Sequence, residues 1–299
     1  MPVPAHSVSE SRVGAVLEWY AAHARELPWR ESACSPWGVL VSEVMLQQTP
    51  VARVLPAWES WMARWPTPAA LAAASQADAV RAWDRLGYPR RAKRLWECAR
   101  EIVERHGGEV PSDTDQLLAL PGVGEYTAAA VGAFAFGQRT VVIDTNVRRL
   151  LARAWAGDAA AAPCLTRAER DLAASVVPAD AGLASRWAVA SMEIGALVCT
   201  ARAPRCEACP LAADCAWFAA GKPGLTQAPR RTQAWTGTDR QVRGRILAVL
   251  RGASGPLNVS GREELDDVEP GQLDRCLESL VADGLVAVFA AERGAYALA

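Results

Sequence analysis

Four cysteines fall within one short stretch, "CTARAPRCEACPLAADC", where Cys199, Cys206, Cys209 and Cys215 are separated by six, two and five residues. All four lie inside one compact segment. A structural zinc site more often uses two short Cys-x-x-Cys knuckles held far apart in sequence. Here a single knuckle is flanked by two longer loops, which suits four ligands around a bulky [4Fe-4S] cube, with zinc as the alternative. No flavin or nicotinamide fingerprint accompanies it, so the expected role is structural, shaping a basic loop around Arg202 and Arg205. The other cysteines, Cys34, Cys98, Cys164 and Cys276, are scattered and read as small buried hydrophobes.

Upstream of the cluster, Ala, Leu, Arg and Glu recur at helical spacing and strand formers are sparse, so the expected fold is mostly α. Helical patterns run from about Arg12 to Ala24, Trp37 to Gln48, Val51 to Arg64, Ala77 to Arg85, Ala92 to His106, Glu125 to Phe136, Asn146 to Ala156, Arg167 to Val176 and Leu183 to Val198. The polar, breaker-rich stretch from Gly221 reads as a linker over 221–238. After it come a helix from Arg240 to Arg251, a second helix with Leu273, Cys276, Leu277, Leu280 and Val281 on one stripe, and two short strands. That order predicts a small winged-helix-like α+β module over 239–299. At 299 residues the chain suits two or three domains.

Three further stretches carry chemistry. In "LPGVGEYTAAA", Gly122 and Gly124 form a bare turn before a helix whose first N–H groups lack partners, a place for a phosphate; Tyr126 stands at the junction. In "VVIDTNVRR", Asp144 is either a helix cap or a functional carboxylate. Glu43, in "WGVLVSEVMLQQT", either shares an exposed polar stripe with Gln47 or is a buried carboxyl whose pKa is raised toward neutrality. Arg90, Arg91, Lys93 and Arg94 form a basic group directly after "LGYP", although the net charge is only -1.

Taken together, "LPGVGEYTAAA", "IDTN" and the six-two-five cysteine spacing resemble the helix-hairpin-helix, iron-sulfur DNA glycosylases of the endonuclease III superfamily. "LPWR", "SEVMLQQT" and "LGY" are similar to its adenine DNA glycosylase (MutY-type) branch. The resemblance implies a two-lobed helix-hairpin-helix fold, with 1–30 and 138–220 as the cluster domain and 31–137 as the hairpin domain. It implies removal of adenine mispaired with 8-oxoguanine or guanine in double-stranded DNA. Glu43 would be the general acid, Asp144 the stabiliser of the oxocarbenium ion, and Asn146 would orient the water or Asp144. Gln48 and Tyr88 would fill the gap left by the flipped base, with Thr49 and Leu86 beside the opposite base. Trp29, Arg30, Leu46 and Val51 would line the adenine pocket, and Gly122 and Gly124 would grip a phosphate. Tyr126 occupies the position where lyases of the superfamily carry a lysine, which implies base removal without strand cleavage.

The chain departs from the family pattern at Val189, where a Gln or Glu is usual, and at Pro89, where a second aromatic residue often follows "GY". The 239–299 module is also too short and too helical to be the nucleotide-hydrolase-like domain that many such enzymes carry. The readings that compete are an endonuclease III type lyase, a thymine-mismatch glycosylase and a non-catalytic damage-binding protein. No signal-peptide pattern opens the sequence, and the longest apolar run, Tyr126 to Gly137, is too short to span a bilayer. A monomeric, cytoplasmic protein is expected.

Overall fold

In a computed structural model of the chain, residues 5–225, 236–289 and 294–299 are described, those at 5–9 by backbone alone. The predicted linker and the turn before the last strand lie largely outside them. Fourteen α-helices are found among the described residues: α1 (Ala5–His23), α2 (Pro36–Leu46), α3 (Val51–Arg64), α4 (Pro68–Ala72), α5 (Gln76–Trp83), α6 (Arg90–His106), α7 (Thr114–Ala119), α8 (Glu125–Phe136), α9 (Thr145–Leu151), α10 (Arg167–Val176), α11 (Ala181–Leu197), α12 (Ala216–Ala219), α13 (Asp239–Gly252) and α14 (Pro270–Ala282). None is long and apolar enough to cross a membrane.

The sequence pattern misses α4, α7 and α12 because each is too short to show a period. Expected boundaries also move: α1 begins at Ala5 rather than Arg12. α2 stops at Leu46, because Gln48 takes a left-handed backbone (φ 56°) and Pro50 disfavours helix before it. The expected helix over Asn146–Ala156 is α9 followed by a single π turn, Ala152–Ala156, which carries Arg153.

The chain divides into two compact units. The first comprises Met1–Glu43, Ser112–Ala119 and Val123–Pro229. In it, α11 packs against α1, α8 and α9 around Val16, Val147, Leu150, Trp187, Ala190 and Ile194, and α12 packs against the π turn. Gly195 permits the α9–α11 approach: a Cβ there would sit 2.8 Å from the Asn146 Cβ and carbonyl oxygen.

The second unit comprises Val44–Pro111, Leu120–Gly122 and Arg230–Ala299. Its helical part buries Trp61 and Trp83, edge to face at 5.6 Å, with α4 and α5 packed on α6. The C-terminal segment places α13 and α14 on a three-stranded antiparallel sheet of order β1-β3-β2, formed by β1 (Leu257–Asn258), β2 (Val286–Phe289) and β3 (Ala295–Leu298). The strand at Leu257, two residues long, was not visible in the pattern. This segment is fastened to α5 and α6 by polar contacts. Gln76 Nε2 donates to the carbonyls of Gly284 (2.6 Å) and Ala299 (3.2 Å), Arg251 Nε to Val80 (3.2 Å) and Lys93 Nζ to Asp283 (3.2 Å), while Arg90 pairs with the Asp283 carboxylate.

One arginine ties the loops of this unit together. Arg91 Nη1 donates to the carbonyls of Val44, Met45 and Gln47 at 2.7–2.9 Å, and Nη2 to Thr49 Oγ1 (2.9 Å), Gly87 (3.0 Å) and Leu86 (3.4 Å). It thereby satisfies the last carbonyls of α2 and the turn before α6 at once. Burial lowers its pKa to about 10, still far above neutrality. Arg91→Met leaves these acceptors without their donor and is expected to cost on the order of 3 kcal/mol. The check is a lower urea midpoint at unchanged m-value.

Candidate active site

Glu43 sits at the centre of the apolar run of α2, flanked by fully buried Leu40, Val41, Ser42 and Met45, and is itself only 4 % exposed. The reading of Glu43 and Gln47 as an exposed stripe therefore fails: Glu43 is buried, and the Gln47 carbonyl is held by Arg91. Loss of hydration raises the Glu43 carboxyl to about 7. Tyr126 Oη donates to its Oε2 at 2.8 Å and pulls the value back down, the charge of Asp144 pushes it up, and Arg30 lowers it. The phenol's own pKa is raised by burial and then by the two carboxylates, so it remains a donor. With Oε2 occupied by that donor, the proton of Glu43 belongs on the other oxygen.

Asp144 is both the cap and the candidate carboxylate. Its Oδ1 accepts from the backbone N–H groups of Asn146 (2.9 Å) and Val147 (2.7 Å), and its Oδ2 from Asn146 Nδ2 (2.7 Å). Burial raises its pKa, while these three donors and Arg149 oppose the rise and favour the anion. Asn146 is held in turn: Arg149 Nη2 donates to Asn146 Oδ1 (2.7 Å) and to the Gly195 carbonyl (2.6 Å), and Nε to the Cys199 carbonyl (2.7 Å). A continuous hydrogen-bonded path thus joins the Asp144 carboxylate to the first cysteine of the cluster loop.

Beside this group lies a clamp that sequence reasoning missed. Glu193 on α11, its side chain fully buried, accepts from Arg25 Nε and Nη2 (2.7 Å each) and from Arg30 Nη2 (2.8 Å). Burial opposes ionisation there, but the two guanidiniums hold the carboxyl at about 2. The clamp fixes Arg30, whose Nη1 is buried without a hydrogen-bond partner. Trp29 is buried on the same short turn, Pro28–Arg30. Val189 is half-buried on α11. The only signal in the sequence was an acidic residue within the apolar stretch before "GALVC".

In the second unit, Gln48 and Tyr88 are exposed, and both have left-handed backbones, with φ 56° and 49°. Such conformations strain residues other than glycine; the Arg91 bonds on either side hold them. Thr49 and Leu86 are buried beneath, Thr49 Oγ1 accepting from Arg91. Leu46 and Val51 are half-buried on the helix ends that flank this loop. Arg91 is a structural core group here, and Arg90, Lys93 and Arg94 are paired with Asp283 or Glu97.

The turn between α7 and α8 has φ 82° at Gly122, where a Cβ would meet Arg94 Cβ at 2.9 Å. Gly124 caps α8 with no side chain, and the first amide of the helix bonded to a carbonyl behind it is that of Ala128 (to Gly124, 2.9 Å). The N–H groups before it are available to an anion.

Cys199, Cys206, Cys209 and Cys215 line one cavity with Leu150, Val198, Leu211 and Trp217. Among the described residues, no three Cys, His, Asp or Glu side chains are arranged to hold a single ion. Arg153 is 2 % exposed against them. It donates to the Ala159, Thr200 and Ala201 carbonyls, stacks on Trp217 and places Nη1 3.5 Å from Cys199 Sγ. A buried cation with no carboxylate partner calls for anionic ligands, and thiolates around an iron-sulfur cube supply that charge. The residues present fit a [4Fe-4S] cluster.

Comparison with known proteins agrees with this geometry. Residues 41–174 match the HhH-GPD superfamily of base excision DNA repair proteins, and residues 199–215 match the iron-sulfur binding domain of endonuclease III. A thermostable thymine-DNA glycosylase structure superposes with a TM-score of 0.64 at 26 % identity, covering 72 % of this chain and 98 % of that one. The adenine DNA glycosylase of Mycobacterium tuberculosis is 56 % identical over 276 residues, 91 % of this chain and 88 % of that protein. The human adenine DNA glycosylase is 43 % identical over 211 residues, 68 % of this chain and 38 % of that one. The chain belongs to the adenine DNA glycosylases of the HhH-GPD superfamily.

Two outcomes follow from the site geometry. Folding raises Glu43 above its ordinary 4.5, so the folded chain holds this proton more tightly than the unfolded one. Stability from this group is therefore complete at low pH and is lost as pH rises through about 7, where the acid is also lost. Tyr126→Phe removes the donor that favours the carboxylate and should move the alkaline limb of the single-turnover rate to higher pH, read from a pH-rate profile. Gly195→Ala drives a methyl into Asn146 and should lower the rate of the chemical step at least about 10-fold while DNA affinity stays within about 3-fold, read by single-turnover kinetics beside a binding titration.

Proposed function

We propose that the chain hydrolyses the N-glycosidic bond of adenine mispaired with 8-oxoguanine or guanine in DNA, without cutting the strand. The observation that carries this reading is a buried carboxyl, kept protonatable near neutrality, in the same unit as a second buried carboxyl whose three N–H donors favour its anion against the upward pull of burial. Two carboxyls with separated proton affinities are what glycosidic cleavage through an oxocarbenium ion requires.

An adenine within a duplex is out of reach, so it must first leave the stack. Gln48 and Tyr88, exposed on backbone fixed by Arg91, are suited to take its place. Glu43 then gives its proton to a ring nitrogen of adenine, the C1′–N9 bond breaks with its electron pair going to the base, and positive charge forms on the sugar. Asp144 stabilises that charge. Water adds to C1′ and returns a proton to Glu43, which restores the acid. Asn146 and Arg149 fix Asp144, and Trp29 and Arg30 contribute to holding adenine, the partnerless Arg30 Nη1 being a donor suited to its edge. The N–H groups at the start of α8 would hold a phosphate without reading sequence. Tyr126 cannot form a Schiff base, which supports base removal alone. The [4Fe-4S] cluster shapes the loop that holds Arg149 through the Cys199 carbonyl.

The test is a duplex with adenine opposite 8-oxoguanine. Free adenine and strand breaks that appear only after alkali are expected, with no thymine released from a guanine:thymine duplex. Glu43→Gln should slow adenine release about 10³-fold or more while retaining binding. A variant of normal rate removes Glu43 from the acid role.

A further inference from the structure

Arg30 acts on two carboxyls but is bonded to only one of them. Its Nη2 donates to Glu193 Oε2 at 2.8 Å, while its charge also reaches Glu43 and lowers that carboxyl's pKa. Glu193 is well placed to keep it. Its side chain is fully buried on α11; Oε1 accepts from the Arg25 backbone N–H (3.1 Å) and Nε (2.7 Å), and Oε2 from Arg25 Nη2 (2.7 Å) as well as from Arg30. The Tyr20 ring of α1 lies 5.9 Å from the Arg30 guanidinium. Val189, one helical turn before Glu193, has no side-chain acceptor to add.

A guanidinium that met Glu43 directly would form a charge-assisted pair and draw off the proton that the carboxyl is to donate. The groups around Glu43 divide by sign. Burial raises its pKa and so does Asp144, from the cap of α9, whereas Tyr126 of α8 and Arg30, from the turn before α2, lower it. Around the clamp stand Arg25, Arg30 and Tyr20, with Arg186 of α11 acting on Tyr20. Burial raises the Tyr20 phenol, which therefore stays uncharged. Burial opposes ionisation of Glu193, the two arginines outweigh it, and at about 2 the group is an anion at every working pH. Arg30 thus stands between a carboxylate that is already formed and an acid that has to stay neutral.

We propose that Glu193 is a positioning residue: by engaging Arg30 it keeps that guanidinium from pairing with Glu43, and so leaves the proton of Glu43 for adenine. This rests on the proposed role of Glu43 as the acid. Without the charge of Glu193, Arg30 loses its carboxylate partner, and Glu43 is a carboxyl on which it already acts. The ionised form of Glu43 then gains a cation, its pKa falls, and the acid is lost at a lower pH. The direction is opposite to that expected of Tyr126→Phe.

The test is the pH-rate profile of single-turnover adenine release from an 8-oxoguanine:A duplex, with circular dichroism and a urea titration as checks of folding. Wild type is compared with Glu193→Gln, Arg30→Met/Glu193→Gln and Arg25→Met/Glu193→Gln. Glu193→Gln is expected to move the alkaline limb down by about one pH unit or more, a loss of about 10-fold above the limb that disappears in acid. Adding Arg30→Met removes the cation and should return the limb at least to its wild-type place. Arg25→Met/Glu193→Gln keeps the net charge of the clamp while still releasing Arg30; it should show the same downward move, and it decides the matter if Glu193→Gln alone does not fold. A loss that is equal at all pH values, an unmoved limb, or a limb that stays low without Arg30 overturns the proposal. If Glu43→Gln retains the normal rate, the acid reading on which the proposal rests is the part that fails. If wild type releases no adenine, the proposed activity itself fails.

Discussion

A carboxyl that is to protonate a base at neutral pH has to be kept from ionising, and the cheapest device is to take it out of water. α2 does this by surrounding Glu43 with Val39, Leu40, Val41 and Met45, none more than 4 % exposed. Burial alone would make the group inert. Tyr126 moderates it by donating to one oxygen, which favours the carboxylate and leaves the other oxygen to carry a proton. The hairpin therefore does two things with one turn: Gly122 and Gly124 bare the backbone before α8, and the second residue of that helix lowers the proton affinity that burial gives Glu43.

Asp144 is the second buried carboxyl of this unit. Burial raises its pKa, three N–H donors and the nearby Arg149 oppose that rise, and Asn146 is itself held by Arg149. Arg149 is in turn fixed to the carbonyls of Gly195 and Cys199. The cluster loop is thus joined to Asp144 through the Cys199 backbone. Cys199, Cys206, Cys209 and Cys215 would hold the cube; buried Arg153 lies against Cys199 Sγ, and the Cys199 carbonyl holds the guanidinium which orients Asn146.

Much of this could be read from the sequence where the chemistry is local. The cysteine spacing, the bare turn before Tyr126 and the Asp-Thr-Asn cap each declare themselves within a dozen residues, and the structure puts Glu43, Tyr126, Asp144 and Asn146 in one unit. What stayed hidden depends on contacts between distant segments. Arg91 looked like one of four surface cations after "LGYP", yet it collects carbonyls from a helix more than forty residues earlier. Arg153 falls within the expected helix from Asn146 to Ala156, and a π turn that no periodicity announces buries it against Cys199. Glu193 joins Arg25 and Arg30 across the chain. In each case the side chain is polar and the segment's own pattern gives no reason to bury it. The same limit explains Glu43, for which helical spacing suggested a stripe shared with Gln47 and only the packed structure decides.

The central claim is that Glu43 is an uncharged acid near neutral pH because of where α2 puts it. The most direct measurement is a ¹³C NMR titration of the side-chain carboxyls in protein labelled at glutamate, with Glu43 assigned by the loss of its resonance in Glu43→Gln. The account predicts a carboxyl that titrates near 7, well apart from the exposed glutamates. A Glu43 resonance that titrates near 4.5 with the others would contradict it.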